Sequence, residues 1–298
     1  MKQRLKVWLY AARPFSLTAA IVPVVVGSLL AARHAFHPLL FLGALFGSVI
    51  IQVGTNLVND YYDFVKGVDT PDALGPSGVL KRGLLSPRAV RWGGIACFAA
   101  GSAIGIVLVV AVGLPLLWLG LASVLAGFFY TAGPVSLAYF GLGEVTVFIF
   151  MGPVIVLGAY YVQLARWAWS PLIVSLPIAF LVTAILHANN LRDIELDRAH
   201  GKRTVATFIG RRYARWEYYA LVGAGYLALL IGVLVGAAPV TALVALLTLP
   251  AAWTALRLAA TTAEPRRLNI VLFRTAQLHM RFGALLAVGL ALGLFIRR

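Results

Sequence analysis

Apolar runs recur along the whole chain and are separated by short stretches that contain charged residues, glycine or proline. A helix that crosses a bilayer needs about 20 predominantly apolar residues. The pattern divides the chain into nine such runs, at residues 14–32, 38–58, 92–112, 114–131, 143–165, 168–190, 217–236, 239–258 and 277–296. It therefore predicts an all-α polytopic membrane protein with about nine transmembrane helices in one bundle.

The composition supports this prediction and excludes a water-soluble enzyme. The 298 residues are 61% hydrophobic and only 12% charged, which is too little polar material to coat a soluble globule. No linker or low-complexity segment divides the chain, so we expect one transmembrane domain over residues 1–298. The basic N-terminus imitates a signal peptide, but the run at 14–32 is long and lacks a small-residue cleavage site, which favours an uncleaved first helix.

The distribution of basic residues predicts the orientation. Lys and Arg number 25 against 10 Asp and Glu, a formal net charge of +15. With a cytoplasmic N-terminus, all the basic residues lie in cytoplasmic segments except Arg33, Arg166, Arg297 and Arg298. Such a bias is typical of cytoplasmic loops beside anionic lipid. We therefore expect an integral, multi-pass protein of the cytoplasmic membrane, in contact with the lipid bilayer and with no nucleic-acid partner.

Acidic residues are scarce, and most of them form two groups. Seven of the ten lie in two short stretches: Asp60, Asp63, Asp69 and Asp72 in the first, and Asp193, Glu195 and Asp197 in the second. Four predicted helices separate these stretches, so both lie on the same face of the membrane, which the charge bias makes cytoplasmic. We expect the loops between helices 2 and 3 and between helices 6 and 7 to cap an active site on that face.

The two acidic stretches share a frame, Asn-x-x-x-Asp, at residues 56–60 and 189–193. The recurrence indicates a weak internal repeat that relates helices 1–4 to helices 5–8. Spacings of three and four residues place side chains on one helical face. The two faces predicted in this way carry Asn56, Asp60 and Asp63, and Asn189, Asp193 and Asp197.

Stacked carboxylates repel one another, so each group needs a compensating cation. Basic side chains could supply it in ordinary solvated loops. Alternatively, Mg2+ prefers carboxylate oxygens and commonly binds through one or two carboxylates together with substrate phosphates, whereas no His or Cys spacing favours zinc. Carboxylates beside basic side chains are typical of a diphosphate site in two metal-bridged halves. The basic residues concerned are Lys66, Arg192, Arg198, Lys202 and Arg203.

Glu144 is the one charged residue between Trp92 and Ala165. A lone acid in apolar sequence is expected to face the interior of the bundle or an aqueous cavity. It either orients a substrate or pairs with a cation.

The motifs together resemble those of the UbiA superfamily of membrane aromatic prenyltransferases. The resemblance is carried by NLVNDYYDFVKGVDTPD at 56–72, NLRDIELD at 190–197 and GKRT at 201–204. ARP at 12–14, YT at 130–131 and GLGE at 141–144 extend it. Within the superfamily, Asp69, the DALGP stretch at 72–76 and GLGE are similar to the 1,4-dihydroxy-2-naphthoate polyprenyltransferases of menaquinone synthesis. Ala73 and Gly78 stand where that branch often has basic residues, so homogentisate, 4-hydroxybenzoate, haem and chlorophyllide remain alternative acceptors.

The resemblance implies Mg2+-dependent transfer of a polyprenyl group from an isoprenyl diphosphate to an aromatic acceptor, giving demethylmenaquinol and releasing diphosphate and CO2. It implies two Mg2+ ions, which Mn2+ can replace, one held by Asn56, Asp60 and Asp63 and the other by Asn189, Asp193 and Asp197. The four aspartates of these sets are the expected catalytic residues. The expected substrate-binding residues are Arg13, Asn56, Lys66, Asp69, Asp72, Tyr130, Glu144, Asn189, Arg192, Lys202 and Arg203.

Two other membrane-protein classes also use intramembrane acids. A cation-coupled transporter would place them near the middle of the membrane on broken helices, whereas these acids lie at one face beside phosphate-binding cations. A CDP-alcohol phosphotransferase needs a different Asp-Gly and Ala-Arg framework. The sequence makes no prediction of the donor chain length or the oligomeric state.

Overall fold

The computed structural model describes residues 2–68, 74, 77–134 and 136–295. Within these residues the regular structure is helical, apart from an isolated bridge between Phe140 and Arg203, which confirms the all-α prediction. The α-helices are α1 (Lys2–Ala12), α2 (Thr18–Ala31), α3 (Pro38–Val65), α4 (Pro87–Val112), α5 (Pro115–Phe129), α6 (Gly143–Ile149), α7 (Ile155–Leu164), α8 (Trp169–Ala199), α9 (Val205–Leu234), α10 (Leu249–Thr261) and α11 (Pro265–Phe295).

Besides the short 3-10 turns at Pro14–Ser16 and Leu137–Tyr139, two longer irregular helical segments occur in the described residues. A π-helical turn at Phe150–Val154, which contains Pro153, joins α6 to α7, because a proline inside a helix removes a backbone donor and disturbs the i to i−4 pattern. A 3-10 segment, Val240–Thr248, leads into α10. Both lie inside apolar runs that the sequence predicts as continuous helices.

The chain is a multi-pass membrane protein. Among the described residues, seven helical segments are long and apolar enough to cross a bilayer, and the pair formed by Gln3–Ser16 and Thr18–Ala31, bent by 56°, makes an eighth if it is counted as one span. α5 is apolar but only 15 residues long. Each of the nine predicted runs overlaps helical structure, but the prediction of nine crossings is not confirmed.

The break between α1 and α2 lies at Arg13, one residue before the first predicted helix. Arg13 has φ 53° and ψ 69°, in the left-handed region. Pro14 follows it, and a proline disfavours helical geometry in the residue before it. The sequence did not predict α1, and the break that ends it places Arg13 next to α3.

α8 is the central helix of the bundle. In its most apolar window 67% of the residues are buried, against 17% in α3 and in α4. α2, α9 and α11 surround α8, and Ile178 and Leu181 on α8 have no exposed surface. α3 instead packs closely on α4 at small residues, where a Cβ added at Gly101 would lie 2.6 Å from Cγ1 of Ile51.

Both acidic motifs lie on the last turns of long helices. α3 continues to Val65 and α8 to Ala199, beyond the predicted ends at 58 and 190. The carbonyl end of a helix carries partial negative charge, so carboxylates there are unfavourable unless cations accompany them. Residues 69–73, 75 and 76 lie outside the described residues, so the expected active-site cap stays a prediction. The single domain over residues 1–298 and the weak internal repeat also stay predictions.

Candidate functional site

One cavity of about 570 Å³ is bordered by residues of both acidic motifs. Asp60 and Asp63 of α3 and Asp193 and Asp197 of α8 line its polar part. Apolar and small side chains of α2, α4, α5 and α7 line the rest. The two motifs, far apart in sequence, therefore share one cavity, as the parity of the predicted helices requires.

Asp60 is buried and has two partners. Arg13 forms an ion pair with its Oδ1, and the Ser77 hydroxyl donates to its Oδ2. The Arg13 and Asp60 side chains are 10% and 7% exposed. The pair holds the break between α1 and α2 against α3.

Asp63 accepts a hydrogen bond of 2.7 Å from the hydroxyl of Tyr139. The ammonium of Lys66 lies 4.3 Å from the centre of the Tyr139 ring. It also donates to the carbonyl oxygen of Thr131 at 2.8 Å and to Oγ of Ser136 at 2.5 Å. Burial lowers the pKa of Lys66, and Asp63 only partly opposes this effect. Lys66 thus ties the end of α3 to the segment between α5 and α6.

The second motif contains a similar set of ion pairs. Arg192 donates to both carboxylate oxygens of Asp193, at 2.7 Å and 2.5 Å, and to Oδ1 of Asn189 at 2.9 Å. It also donates to Oδ1 of Asn269 on α11 at 2.6 Å. The bidentate geometry is the stronger form of an arginine–carboxylate contact. Arg192 therefore fixes the carboxylate of Asp193 and also ties this end of α8 to α11.

Lys202 and Tyr139 connect the two motifs. The ammonium of Lys202 lies 3.3 Å from Oδ1 of Asp197 and 5.7 Å from the centre of the Tyr139 ring. Burial alone lowers the pKa of Lys202, but Asp197, Asp63 and Asp193 outweigh that effect and hold it above its ordinary value. Tyr139 therefore lies between the first motif, through Asp63, and the second, through Lys202.

Asn56 has a structural connection in addition to its place in the first motif. Its amide nitrogen donates to the carbonyl oxygen of Ala12 and to Oγ of Ser16, both at 2.9 Å. Its Oδ1 accepts from Nε2 of Gln52 at 3.3 Å. Asn56 thus anchors both sides of the break at Arg13.

Glu144 lies in a buried polar cluster behind the cavity wall. Its Oε1 accepts from Nδ2 of Asn190 at 2.7 Å and lies 3.4 Å from Nδ1 of His187. Nε2 of His187 lies 2.7 Å from the carbonyl oxygen of Ala214, and Glu217 lies 3.8 Å from Nδ1. Oε2 of Glu144 is buried without a hydrogen-bond partner. Asn190, but not Glu144, lines the cavity.

A family model described as the UbiA prenyltransferase family matches residues 20–280. The chain belongs to this family. It is therefore a prenyltransferase, and the resemblance of its motifs to the UbiA superfamily is confirmed.

Two named proteins and one solved structure are similar to this chain over most of its length. The 1,4-dihydroxy-2-naphthoate octaprenyltransferase of Bacillus subtilis (strain 168) is 34% identical over 284 residues, covering 95% of this chain and 91% of that protein. The UbiA prenyltransferase domain-containing protein 1 of Gallus gallus is 32% identical over 298 residues, covering 98% and 86%. A UbiA homolog from Archaeoglobus fulgidus, solved bound to DMAPP and Mg2+, has a TM-score of 0.62 at 18% identity, covering 94% of this chain and 99% of that one. The likeness to the Archaeoglobus fulgidus structure shows that this chain has the same fold.

Several predicted site residues of this UbiA-family chain lie elsewhere than expected. Arg203 is exposed and does not line the cavity, because its backbone N–H donates to the carbonyl oxygen of Tyr139 at 3.2 Å and fixes the segment. Lys66 contacts the neighbouring segment and also does not line the cavity. Asp69 and Asp72 lie outside the described residues.

The sequence analysis did not single out three residues that the structure places at the site, Ser77, Tyr139 and Asn190. All three are uncharged. The only available signal was that the segments containing them lie on the same face as the acids.

The carboxylates of this UbiA-family chain fit Mg2+ bound jointly with a substrate. Among the described residues, no group of three or more His, Cys, Asp and Glu side chains could hold a metal ion alone. Mg2+, however, commonly binds through one or two carboxylates and substrate phosphates. Oδ2 of Asp197 is buried without a hydrogen-bond partner, and a buried, unpaired carboxylate oxygen is costly unless a cation or donor joins it.

Proposed function

We propose that this enzyme transfers a polyprenyl group from an isoprenyl diphosphate to 1,4-dihydroxy-2-naphthoate in a Mg2+-dependent reaction. The observation that carries the proposal is one cavity with two aspartate pairs and their cations in its polar part and apolar walls elsewhere. A diphosphate with a hydrocarbon tail has the same division of polar and apolar parts. The name of the Bacillus subtilis relative and the DMAPP and Mg2+ in the Archaeoglobus fulgidus structure support this choice.

The diphosphate binds in the polar part of the cavity. Arg13, Arg192 and Lys202 line this part and supply donors for phosphate oxygens. In the structure each of these cations is paired with one motif carboxylate, that of Asp60, Asp193 or Asp197. When the donor binds, these ion pairs would separate. The carboxylates would then bind Mg2+, and the basic groups would donate to phosphate oxygens.

The aspartates of the two motifs hold Mg2+. One set is Asp60 and Asp63 with Asn56, and the other is Asp193 and Asp197 with Asn189. When bound, Mg2+ neutralises the negative charge that grows on the departing diphosphate.

Bond breaking at the donor leaves an allylic cation. The C–O bond breaks with both electrons on the diphosphate oxygen. The ring carbon that carries the carboxylate forms the new C–C bond, and the carboxylate then leaves as CO2 and returns its bonding electrons to the ring. The face of an aromatic ring stabilises a cation, and Tyr130 lines the cavity beside the first motif. The apolar walls exclude water, which would otherwise capture the cation.

The acceptor lies between Tyr130 and the wall formed by Asn190. Both residues line the cavity, and Glu144 fixes the amide of Asn190 at 2.7 Å. Glu144 is therefore a positioning residue that acts through Asn190. Its lone position in apolar sequence and its unpaired Oε2 support this role.

We propose that the N-terminus and the polar part of the cavity face the cytoplasm. The bias of Lys and Arg towards one set of loops supports this orientation. Both substrates carry negative charge, so access from the aqueous cytoplasm agrees with it.

A single assay tests the function. Purified protein in detergent receives Mg2+, octaprenyl diphosphate and, in separate reactions, 1,4-dihydroxy-2-naphthoate, homogentisate or 4-hydroxybenzoate, and the products are identified by mass spectrometry. The proposal expects a prenylated naphthoquinol without the carboxylate, and equal amounts of diphosphate and CO2. Prenylation of another acceptor in preference to the naphthoate would overturn the acceptor assignment.

A further inference from the structure

An open depression of about 290 Å³ lies between α9 and α10. Three arginines, two aromatic residues and one alanine line it: Arg211, Arg212, Arg215, Trp216, Tyr219 and Ala260. None of these residues lines the substrate cavity, and none takes part in the reaction proposed above. The depression is therefore separate from the prenyl-transfer site.

The arginines follow a break in α9. Gly210 has φ 74° and ψ 165°, in the region that glycine adopts at little cost because it has no Cβ. Regular helix resumes at the next residue. Spacings of three and four residues then place Arg212, Arg215, Trp216 and Tyr219 on one face of α9. The face that borders the depression is thus basic at its start and aromatic further along.

Two of the arginines keep donors free for a ligand. Nη2 of Arg215 donates to the carbonyl oxygen of Thr262 at 2.5 Å, while Nη1 has no hydrogen-bond partner among the described residues. Arg212 is exposed and forms neither a hydrogen bond nor an ion pair within the part of the chain that the structure describes. Arg215 is therefore held in place, and both side chains can donate to a bound group.

The depression carries positive charge. Among the described residues, no carboxylate side chain lines it. Nη2 of Arg211 lies 3.5 Å from Oε1 of Glu195, but the Glu195 side chain is 70% exposed, and an exposed ion pair is weak. Guanidinium groups bind phosphate oxygens in bidentate geometry. The depression therefore fits a phosphate group better than it fits a neutral ligand.

The depression lies at the level where the apolar sequence meets polar sequence. The apolar run of α9 starts at residue 217, directly after Trp216, and the run that leads into α10 ends at residue 258, two residues before Ala260. The Trp216 side chain is 63% exposed, and its ring lies 5.7 Å from that of Tyr219. Trp and Tyr are enriched at the membrane–water interface, beside the lipid headgroups. The phosphate groups of phospholipids lie at the same level.

Exposed apolar surface continues from the depression along α9. Ala220, Gly223 and Leu227 follow Trp216 at spacings of three and four residues, and all three are exposed. A Cβ added at Gly223 would meet no atom within 4 Å, so there is open space beside the helix for a hydrocarbon chain. A phosphate group that carries acyl chains matches both the arginines and this apolar surface. Free phosphate matches the arginines alone.

We propose that this depression binds the phosphate group of an anionic phospholipid, in the leaflet on the side of the acidic motifs. Arg212 and Arg215 donate to the phosphate oxygens, Trp216 borders the glycerol part, and the acyl chains lie along α9. Basic pockets between helices at a membrane surface bind anionic headgroups in this way. The site is independent of the donor and of the aromatic acceptor, because no residue of the substrate cavity takes part.

Bound lipid would strengthen contacts among three helices. Arg215 connects α9 to Thr262, which follows α10. Nη1 of Arg211 donates to the carbonyl oxygen of Leu191 on α8 at 3.3 Å. A ligand that binds the folded protein and not the unfolded chain raises the free energy of unfolding. We therefore expect an anionic phospholipid to raise the temperature of thermal unfolding.

Native mass spectrometry of the full-length protein in detergent tests the site. Dioleoylphosphatidylglycerol and dioleoylphosphatidylcholine are titrated separately, and we expect tighter binding of phosphatidylglycerol, because the choline cation is repelled by the arginines. Arg212→Gln should weaken phosphatidylglycerol binding about fivefold, the contribution of one basic residue near a membrane surface. It should leave phosphatidylcholine binding unchanged. The substitution removes no contact among the described residues, so the variant should fold as the wild type does.

Arg88→Gln is the matched control. Arg88 is an exposed arginine at the start of α4, on the same predicted side of the membrane, and it lines neither the depression nor the substrate cavity. This variant loses the same charge and should bind phosphatidylglycerol as the wild type does. Equal phosphatidylglycerol affinity in the wild type and Arg212→Gln, or the same loss in Arg88→Gln, would overturn the proposal.

Two further measurements identify the occupant and its effect. Inorganic phosphate at the concentration of the lipid should not displace phosphatidylglycerol, and displacement would overturn the assignment to a lipid. Phosphatidylglycerol should raise the unfolding temperature of the wild type and of Arg88→Gln more than that of Arg212→Gln. The same rise in all three proteins would contradict binding at the depression. Neither measurement requires prenyl transfer, so failure of the proposed function is distinguishable from failure of this site.

Discussion

The hydroxyl of Tyr139 donates a hydrogen bond of 2.7 Å to Oδ1 of Asp63, and the ammonium of Lys202 lies 5.7 Å from the centre of the same ring. Lys202 in turn forms an ion pair with Asp197. A loop tyrosine thus connects two acidic motifs that four predicted helices separate in sequence. This arrangement fixes the position of the first motif relative to the second in the absence of substrate.

Tyr139→Phe is expected to weaken donor binding and leave the fold intact. The variant keeps the ring beside Lys66 and Lys202 but removes the hydrogen bond to the Asp63 carboxylate. A hydrogen bond to a charged group contributes about 1.5–3 kcal/mol, so we expect KM for the prenyl diphosphate to rise about tenfold or more. Steady-state kinetics at saturating acceptor measures this change. Tyr213→Phe, at an exposed tyrosine, is the control, and equal donor KM in the two variants would contradict the role of Tyr139.

The single substitution Arg13→Ala is expected to destabilise the protein more than the double substitution Arg13→Ala with Asp60→Asn. Asp60 and Arg13 are buried together, and removing one partner of a buried ion pair costs about 3–5 kcal/mol. Thermal unfolding in detergent should therefore occur at a lower temperature in Arg13→Ala, and Asp60→Asn in the same chain should restore part of the loss. Arg4→Ala, at an exposed arginine, should unfold as the wild type does. Additive losses in the double variant would mean that the pair is not coupled.

Glu144→Gln is expected to change the KM for the acceptor and not that for the donor. The amide oxygen of glutamine still accepts from Asn190, but a neutral acceptor holds it less firmly than a carboxylate, by about 1 kcal/mol or about fivefold. We expect acceptor KM to rise by this factor with kcat unchanged. Glu264→Gln, at a side chain that is 58% exposed, is the control. A fall in kcat without a change in acceptor KM would contradict a positioning role.

Cysteine labelling tests the proposed orientation. After replacement of Cys97 by Ala, cysteines at Arg88 and His200 should react with a membrane-impermeant maleimide from the cytoplasmic side, and a cysteine at Arg166 should react from the opposite side. All three positions are exposed in the structure. Labelling of Arg88→Cys and His200→Cys from opposite sides would contradict the shared location of the two motifs.

The apolar pattern predicted the helices more accurately than it predicted their ends. α3 begins at Pro38 and α4 ends at Val112, as the pattern predicts, because a proline and a glycine mark these limits. α3 and α8 continue past their apolar runs, since a helix persists where its polar residues keep helical spacing. α1 was missed because its charged residues interrupt every apolar run.

The acids of the site could be identified from sequence, but their partners could not. Scarcity, spacing and the parity of the helices identified the two motifs. The pairing of Arg13 with Asp60 spans 47 positions and depends on the break before Pro14. Lys202 and Arg203 are adjacent and both positively charged, so the sequence does not distinguish Lys202, which lines the cavity, from Arg203, which is exposed.

The central claim is that both aspartate pairs act with Mg2+ on one diphosphate. The most direct test measures diphosphate release as Mg2+ is titrated, in wild type, Asp60→Asn, Asp193→Asn and Glu195→Gln. Glu195 belongs to the second motif, but its side chain is 70% exposed, so its variant should keep wild-type turnover. We expect Asp60→Asn and Asp193→Asn to lose at least about a hundredfold in turnover while still folded, and the wild type to be inactive in EDTA. Full turnover in EDTA, or wild-type turnover in either aspartate variant, would contradict the claim.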